Sequence, residues 1–155
     1  MSGASRPTSM NRKMKENYLI TIDGVIEYPE DTETISLTTV GSYYTKGDKR
    51  YICYRESEST GFEGCLTTVK AWEDGVSITR FGSNDFKTNL TIQKGAVNLC
   101  NYETFMGSMM LDIDGVDVEN RLNDEGGDLS FSYSLNAGGI LISDNKVKVN
   151  IKEIN

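Results

Sequence analysis

Arg80 is the residue whose type and position give this sequence its most specific chemistry. Residues 63–82 are typical of a β-hairpin, because Asp74-Gly75 is a dipeptide characteristic of a tight hairpin turn. A two-residue turn there pairs Val69 with Arg80, and directly opposed residues point to the same side of a sheet. We therefore expect the guanidinium on an otherwise apolar face, where its forked donors would suit a carboxylate or a phosphate. The apolar positions of that face are Val69, Ala71, Val76 and Ile78.

The chain contains no histidine, which excludes serine–histidine and cysteine–histidine catalysis and nearly all zinc chemistry. Residues 112–117, Asp-Ile-Asp-Gly-Val-Asp, have a superficial likeness to a calcium loop. They lack the acidic pattern of an EF-hand, and Asn123 stands where that loop needs a glutamate at its twelfth position. We interpret Asp114-Gly115 as a turn instead. The sequence predicts neither a metal nor another cofactor.

Composition predicts one acidic, strand-rich domain. The chain has 155 residues, 15 glycines and two prolines, and its formal net charge is −7. An acidic surface argues against nucleic-acid binding. There is no apolar run of the ~20 residues that a membrane span needs and no secretory signal, so we expect a cytoplasmic protein. The odd number of cysteines, Cys53, Cys65 and Cys100, is consistent with reduced thiols there.

Residues 1–14 are small, polar and basic, and we interpret them as a disordered lead-in or a remnant of an expression vector. Residues 15–155 form the predicted domain. Its first strands span roughly residues 17–27, 33–45 and 49–58, and Gly41 in mid-strand indicates sharp coiling or a close backbone approach. In the third strand the inward residues are either Tyr51, Cys53 and Arg55 or Ile52, Tyr54 and Glu56; propensity alone leaves this open.

Three glycine turns in the second half predict one shared inner face. Two-residue turns at Met106-Gly107, Asp114-Gly115 and Gly126-Gly127 pair Tyr102 with Leu111 and Asn120 with Tyr133. A slip of one residue would turn a whole strand outward, so their agreement is informative. The predicted inner residues are Tyr102, Thr104, Met109, Leu111, Ile113, Val116, Val118, Leu122, Leu129, Phe131, Tyr133 and Leu135.

The remaining connections are less regular. A three-residue loop, Lys94-Gly95-Ala96, pairs Thr88 with Tyr102 and fits the later turns better than a two-residue loop. Residues 136–145 are predicted as a glycine-rich excursion before a last strand that presents Val147, Val149 and Ile151 inward. About ten antiparallel strands and no long helix result. A closed up-and-down barrel is the simplest way for such a meander to bury its apolar face and its edges, and we predict this fold; a two-sheet sandwich is the alternative.

An ordered series of short motifs resembles the YwiB-like family of small bacterial proteins of unknown function with a calycin-like barrel. The resemblance covers residues 15 to the end and implies the architecture of lipocalins and fatty-acid-binding proteins, with no established activity. The motifs are Tyr54-x-Glu56, Gly64 with Thr67-Thr68-Val-Lys70, Val76-x-Ile78-x-Arg80-x-Gly82, Tyr102-x-Thr104-x-x-Gly107, and Gly126-Gly127 with Tyr133.

The family pattern also implies that Tyr54 and Glu56 face inward, so that Glu56 meets Arg80. A buried charge must be paired or hydrogen-bonded, and one hypothesis is that this ion pair plugs the interior of a structural or protein-interaction barrel. The candidate polar residues of the interior are Tyr54, Glu56, Thr67, Arg80, Thr88, Tyr102, Thr104, Asn120 and Tyr133.

The second hypothesis is that the barrel binds a small anionic or amphipathic molecule. Arg80 and the tyrosines would hold its head group, and an apolar wall of Met109, Leu111, Ile113 and Phe131 would hold its tail. The candidate ligand-binding residues are Tyr54, Glu56, Thr67, Arg80, Tyr102, Thr104 and Tyr133. An enzyme that uses Glu56 is less favoured, because no second inward carboxylate is evident. The sequence does not determine the oligomeric state.

Overall fold

The computed structural model describes residues 16–57, 63–82, 87–104 and 107–154. The predicted lead-in, residues 1–14, lies outside them. Within the described residues every regular element is a strand. The ten strands are β1 (Tyr18–Glu27), β2 (Thr32–Lys46), β3 (Lys49–Arg55), β4 (Leu66–Trp72), β5 (Gly75–Phe81), β6 (Lys87–Gln93), β7 (Val97–Thr104), β8 (Gly107–Asn123), β9 (Gly126–Ala137) and β10 (Ile140–Glu153). No helix in this part of the chain is long and apolar enough to cross a membrane.

The strands form a single antiparallel barrel. Their order in the sheet is β6-β5-β4-β3-β2-β1-β10-β9-β8-β7, so the first and last strands are neighbours. Tyr18 pairs with Glu153, and the ladder continues to Glu27 and Asp144. The edges β6 and β7 meet at a seam where the described residues form no ladder. The Cys100 thiol donates to the Asn89 carbonyl oxygen across it, over 3.2 Å. The predicted all-β, up-and-down barrel is confirmed.

Strand β2 bends at Gly41. Residues 32–41 pair with β1, whereas residues 42–46 pair with β3. A Cβ atom on Gly41 would lie 2.3 Å from the Cys53 carbonyl oxygen and 2.6 Å from Ile20 Cδ1. The predicted close backbone approach at this glycine is therefore confirmed. It allows β2 to pair with β1 on one side of the bend and with β3 on the other.

The predicted turn at Asp74-Gly75 is displaced by one residue. Gly75 begins β5 and pairs with Trp72, so the turn is residues 73–74. A side chain on Gly75 would meet the Trp72 ring at 2.3 Å. The predicted pairing of Val69 with Arg80 is wrong, because Arg80 pairs with Thr67. Moving the turn by one residue shifts the ladder pairing by two residues. Because this shift is even, every side chain keeps its predicted face.

The hairpins of the second half are displaced in the same direction, by two residues of ladder register between β7 and β8 and by four between β8 and β9. Tyr102 pairs with Met109 rather than with Leu111. Leu122 pairs with Gly127, so the turn before β9 is residues 124–125. Both shifts are even, and the inner face is again preserved.

The predicted turn at Asp114-Gly115 is wrong. Strand β8 continues through it with a bulge: Gly115 pairs with Tyr133, Asp117 pairs with Ser132, and Val116 between them is 58% exposed. A bulge and a two-residue turn change the alternation in the same way, so Val118 still points inward. Val116 itself does not.

The loop between β6 and β7 is instead hydrogen-bonded to the backbone of Gly115. The Gly115 N–H donates to the Ala96 carbonyl oxygen, and its own carbonyl oxygen accepts from Gly95 N–H, both at 2.9 Å. The predicted pairing of Thr88 with Tyr102 is absent, because the described residues of β6 and β7 are the two edges of the sheet and form no ladder with each other. The predicted excursion at residues 136–145 is wrong as well, since β9 and β10 cover nearly all of it.

The core fills the end of the barrel where β2–β3, β4–β5 and β8–β9 turn; we call this the closed end. Ladder pairs such as Ile20 with Ile151 and Ala71 with Val76 set its layers. Of the two interpretations of β3, the one with Ile52, Tyr54 and Glu56 inward is confirmed. Side chains with no exposed surface at this end are Ile20, Ile52, Ala71, Val76, Ile92, Ile113 and Leu129.

Gly41→Ala should destabilise the barrel by about 1–3 kcal/mol, because the new methyl group overlaps backbone that cannot move freely. Gly24→Ala is the matched control, since a Cβ atom there has its nearest neighbour at an ordinary 3.6 Å. Urea unfolding of both variants provides the measurement. Equal midpoints for the two variants would contradict the proposed role of Gly41.

Candidate functional site

A row of polar side chains crosses three neighbouring strands near the other end of the barrel, which we call the open end. Tyr54 of β3 pairs with Thr67 of β4, and Thr67 pairs with Arg80 of β5. Opposed residues of a ladder share a face, so all three side chains point inward. Glu56 follows Tyr54 by two residues on the same face. Strand register alone therefore brings a carboxylate, a guanidinium and two hydroxyl groups together.

Glu56 is the centre of this group. Its side chain is only 2% exposed, and Arg80 Nε lies 3.3 Å from its Oε2 atom. The Thr67 hydroxyl group donates a short hydrogen bond to the same oxygen. The Arg80 side chain is 30% exposed, so the guanidinium lies between the buried carboxylate and the interior space. The predicted contact of Glu56 with Arg80 is present.

Tyr54 completes the surroundings of the carboxylate. Its phenol interacts with both Glu56 and Thr67. Burial raises the pKa of Tyr54 well above its ordinary value, the negative charge of Glu56 raises it further, and the positive charge of Arg80 opposes both effects. The phenol therefore stays neutral and can act as a hydrogen-bond donor.

The opposite wall carries a second polar group. Tyr133 of β9 lies there, and burial raises its pKa to about 12, while Arg80 lowers it. Asn145 of β10 is buried, and its amide donates to the Ser143 hydroxyl oxygen over 3.1 Å. Sequence reasoning missed Ser143 and Asn145 by assigning them to a loop. The alternation of Val147, Val149 and Ile151, continued towards the N-terminus, would have placed both of them inward.

A cavity of about 520 Å³ separates the two polar walls. Two charged residues, Glu56 and Arg80, line it from inward-facing positions, whereas Lys146 contributes from the outward face of β10, between Asn145 and Val147. The rest of the lining is mainly apolar. Apolar residues from seven strands contribute, among them Ile22, Leu37, Val69, Ile78, Leu90, Phe131 and Val149.

The structure gathers most of the predicted site residues. The cavity is lined by Tyr54, Glu56, Arg80 and Tyr133. Thr67 does not line it but donates a hydrogen bond to Glu56. Tyr102, on β7, is 43% exposed and does not line the cavity. The side chain of Thr104 lies outside the described part.

The apolar wall differs from the predicted one. Phe131 lines the cavity, whereas Met109 is 45% exposed, and Leu111 and Ile113 are buried elsewhere. The physical reason is that β7 and β8 do not border this cavity. Among the described residues, no three or more histidine, cysteine, aspartate or glutamate side chains are grouped so that they could hold a metal ion.

Comparison with known proteins agrees with this architecture. The family model of a domain of unknown function, DUF1934, matches residues 20–149. The chain belongs to the DUF1934 family. It is 31% identical over 127 residues to the uncharacterised β-barrel protein YwiB of Bacillus subtilis strain 168, covering 81% of this chain and 87% of that protein. The resemblance inferred from the motifs is thereby confirmed.

The crystal structure of YwiB from Bacillus subtilis also matches the fold. The two structures align with a TM-score of 0.76 at 25% sequence identity, and the match covers 89% of this chain and 92% of the YwiB chain. The DUF1934 family is thus a β-barrel family of unknown function, and this chain has its fold.

Removal of the guanidinium should be costly because it leaves a buried carboxylate without its cation. We expect Arg80→Met to lower the free energy of unfolding by about 3 kcal/mol. The double variant with Glu56→Gln should lose less than Arg80→Met alone, since no lone charge remains. Urea unfolding measures the loss for Arg80→Met, for Glu56→Gln and for the double variant. Arg121→Met is the control, because its pair with Glu119 is largely exposed and worth under about 0.5 kcal/mol.

Additive losses in the double variant would show that Glu56 and Arg80 do not depend on each other.

Tyr133 should give the barrel an alkaline instability. Burial raises its folded pKa from 10.0 to about 12, so the unfolded chain releases this proton first. The resulting contribution to stability is complete below about pH 10 and is lost as the pH rises to about 12. A pKa difference of this size corresponds to roughly 3 kcal/mol. Urea unfolding between these pH values should therefore show a smaller loss for Tyr133→Phe than for the wild type. Tyr102→Phe, on an exposed phenol, should lose as much as the wild type.

Proposed function

We propose that the barrel binds a small amphipathic molecule with an anionic head group, which lies at the polar residues of the open end while the apolar part lies along the walls. The observation that carries this proposal is the interior cavity of about 520 Å³. Ligand sites in proteins usually enclose about 300–1,000 Å³, with mostly apolar walls and a few placed polar groups. The cavity of this barrel matches such ligand sites in volume, in its mainly apolar walls and in its few polar groups.

The charge of the ligand follows from the lining. The Arg80 guanidinium lines the cavity and is 30% exposed, and its forked donors suit a carboxylate or a phosphate. Glu56 holds the Arg80 guanidinium against the wall through the contact at Nε. A guanidinium fixed in this way is already ordered before a carboxylate or phosphate binds, which lowers the entropic cost of binding. The hydroxyl of Tyr133 and the amide of Asn145 lie on the opposite side.

In this proposal the barrel is calycin-like and works as lipocalins and fatty-acid-binding proteins do. We further propose a cytoplasmic location, which suits the acidic composition and the three free cysteines. We assign no enzymatic activity. Glu56 is the one carboxylate that lines the cavity in the described part of the chain, so acid–base catalysis would lack its partner.

The second candidate is a structural or protein-interaction barrel. The direct contact between Glu56 and Arg80 favours it, because an ion pair that is satisfied internally needs no ligand. The two candidates differ in the cavity: the structural barrel leaves the space without a role, whereas the binding barrel uses it.

Two fluorescent probes with the same aromatic rings test the proposal. 8-Anilinonaphthalene-1-sulfonate is anionic, and N-phenyl-1-naphthylamine is neutral. We expect the anionic probe to bind one site per chain, and Ile78→Trp, which fills the cavity, to abolish binding of both probes. Val97→Trp is the control, since Val97 is 59% exposed on β7. Failure of both probes to bind the wild type would support the structural barrel.

Arg80→Met separates charge recognition from simple hydrophobic binding. We expect its affinity for the anionic probe to fall about tenfold, or about 1.4 kcal/mol, with little change for the neutral probe. Arg121→Met should change neither affinity. Native mass spectrometry of protein purified from its own host would then identify a retained molecule. Equal losses for both probes in Arg80→Met would remove the anionic group from the proposal.

A further inference from the structure

The first part of strand β2, residues 32–40, has one neighbouring strand among the described residues. Strand β1 pairs with it along its whole length, whereas the ladder with β3 covers only residues 42–46. N-terminal to Gly41, no described residue of β3 or of the chain that follows it forms a ladder with this part of β2. Its side chains are exposed on both faces: Ile35, on the inward face, is 46% exposed, and Val40, on the outward face, is 41% exposed.

From Thr34 onward, this edge lacks the features by which proteins usually prevent strand pairing. From Thr34 to Thr45 there is no charged residue and no proline. The ladder with β1 runs without a register shift, so no bulge twists the edge away. Unpaired backbone groups in such a strand can accept another extended strand.

The sequence of the edge identifies the occupant that fits it. The segment 34–38, Thr-Ile-Ser-Leu-Thr, has nearly the same pattern in both directions. If two copies pair antiparallel about a twofold axis at Ser36, Thr34 of one copy faces Thr38 of the other. Ile35 likewise faces Leu37. Hydroxyl groups then meet on one face and branched aliphatic groups on the other, and both kinds of cross-strand pair are favourable. A twofold interface needs this self-complementarity.

We propose that two copies of this chain associate through β2, with their edges antiparallel about Ser36. Ile35 and Leu37 both line the cavity, so each copy would place aliphatic side chains beside the cavity of the other. The interface would thus cover an apolar part of the cavity lining that is exposed in one copy. A nine-residue edge is a small contact, and we expect the association to depend on concentration.

Sedimentation of the full chain, from dilute protein to the highest concentration it tolerates, tests the proposal. We expect a shift from the 17.2 kDa chain towards twice that mass. Ile35→Lys should abolish the shift, because a charge would lie against Leu37 of the second copy. Ile140→Lys is the matched control, since Ile140 is also exposed, at 72%, and lies on β10. A wild type that stays monomeric would overturn the proposal, as would a dimer that Ile35→Lys leaves intact.

A cysteine at the axis provides a readout that does not depend on loss of association. Two Ser36→Cys side chains would lie opposite each other, at the separation of directly paired strand residues, and should form an intermolecular disulfide under mild oxidation. The wild type, with its three native cysteines, and Lys148→Cys, on the exposed face of β10, are the controls. Cross-linking of Ser36→Cys no faster than that of the controls would contradict the proposed register.

Discussion

Burial of the Glu56 carboxylate is the constraint on which the open half of the barrel depends. A carboxylate that is 2% exposed is stable only if other groups replace the water it has lost. Tyr54, Thr67 and Arg80 do so, and each comes from a different strand of a three-stranded ladder. A slip of one residue in either hairpin would remove a partner from the carboxylate. The register of these strands therefore determines whether the buried charge is compensated.

The same constraint divides the barrel into two parts. At the closed end, ladder pairs of Ile, Val, Leu and Ala fill most of the interior, and the largest of these side chains have no exposed surface. At the open end the polar groups cannot pack in this way, because Arg80 and Glu56 must stay paired while Tyr133 and Asn145 occupy the opposite wall. The cavity lies between them. Gly41 marks the change, since β2 passes there from the β1 side to the β3 side.

Much of this arrangement could be predicted from the sequence, because side-chain alternation in strands has a period of two. The inward direction of Arg80, Thr67 and Tyr133 follows from alternation and survives even errors in register. The register itself could not be predicted, since Gly75 and Gly126 begin strands rather than occupy turns.

Contacts between distant segments explain the other differences. The loop that docks on Gly115 turns an apparent hairpin into a bulge, and no local pattern reports that contact. Tyr102 has the correct alternation, but it lies on a strand that does not border the cavity. Asn145 was missed because the glycines before it suggested a loop. Alternation therefore predicts the face of a residue, whereas its position along the barrel axis depends on the whole sheet.

The pairing of β1 with β10 has a consequence for how the barrel forms. These strands are joined by ten ladder pairs, from Tyr18 with Glu153 to Glu27 with Asp144, although more than a hundred residues separate them in the chain. Contacts of such long sequence separation raise the loop-closure entropy that folding must overcome, and proteins rich in them fold slowly. The seam between β6 and β7, by contrast, joins strands that are consecutive in the chain. The loop-closure entropy of forming the barrel is therefore largest at the pairing of β1 with β10, where the ladder of hydrogen bonds is complete.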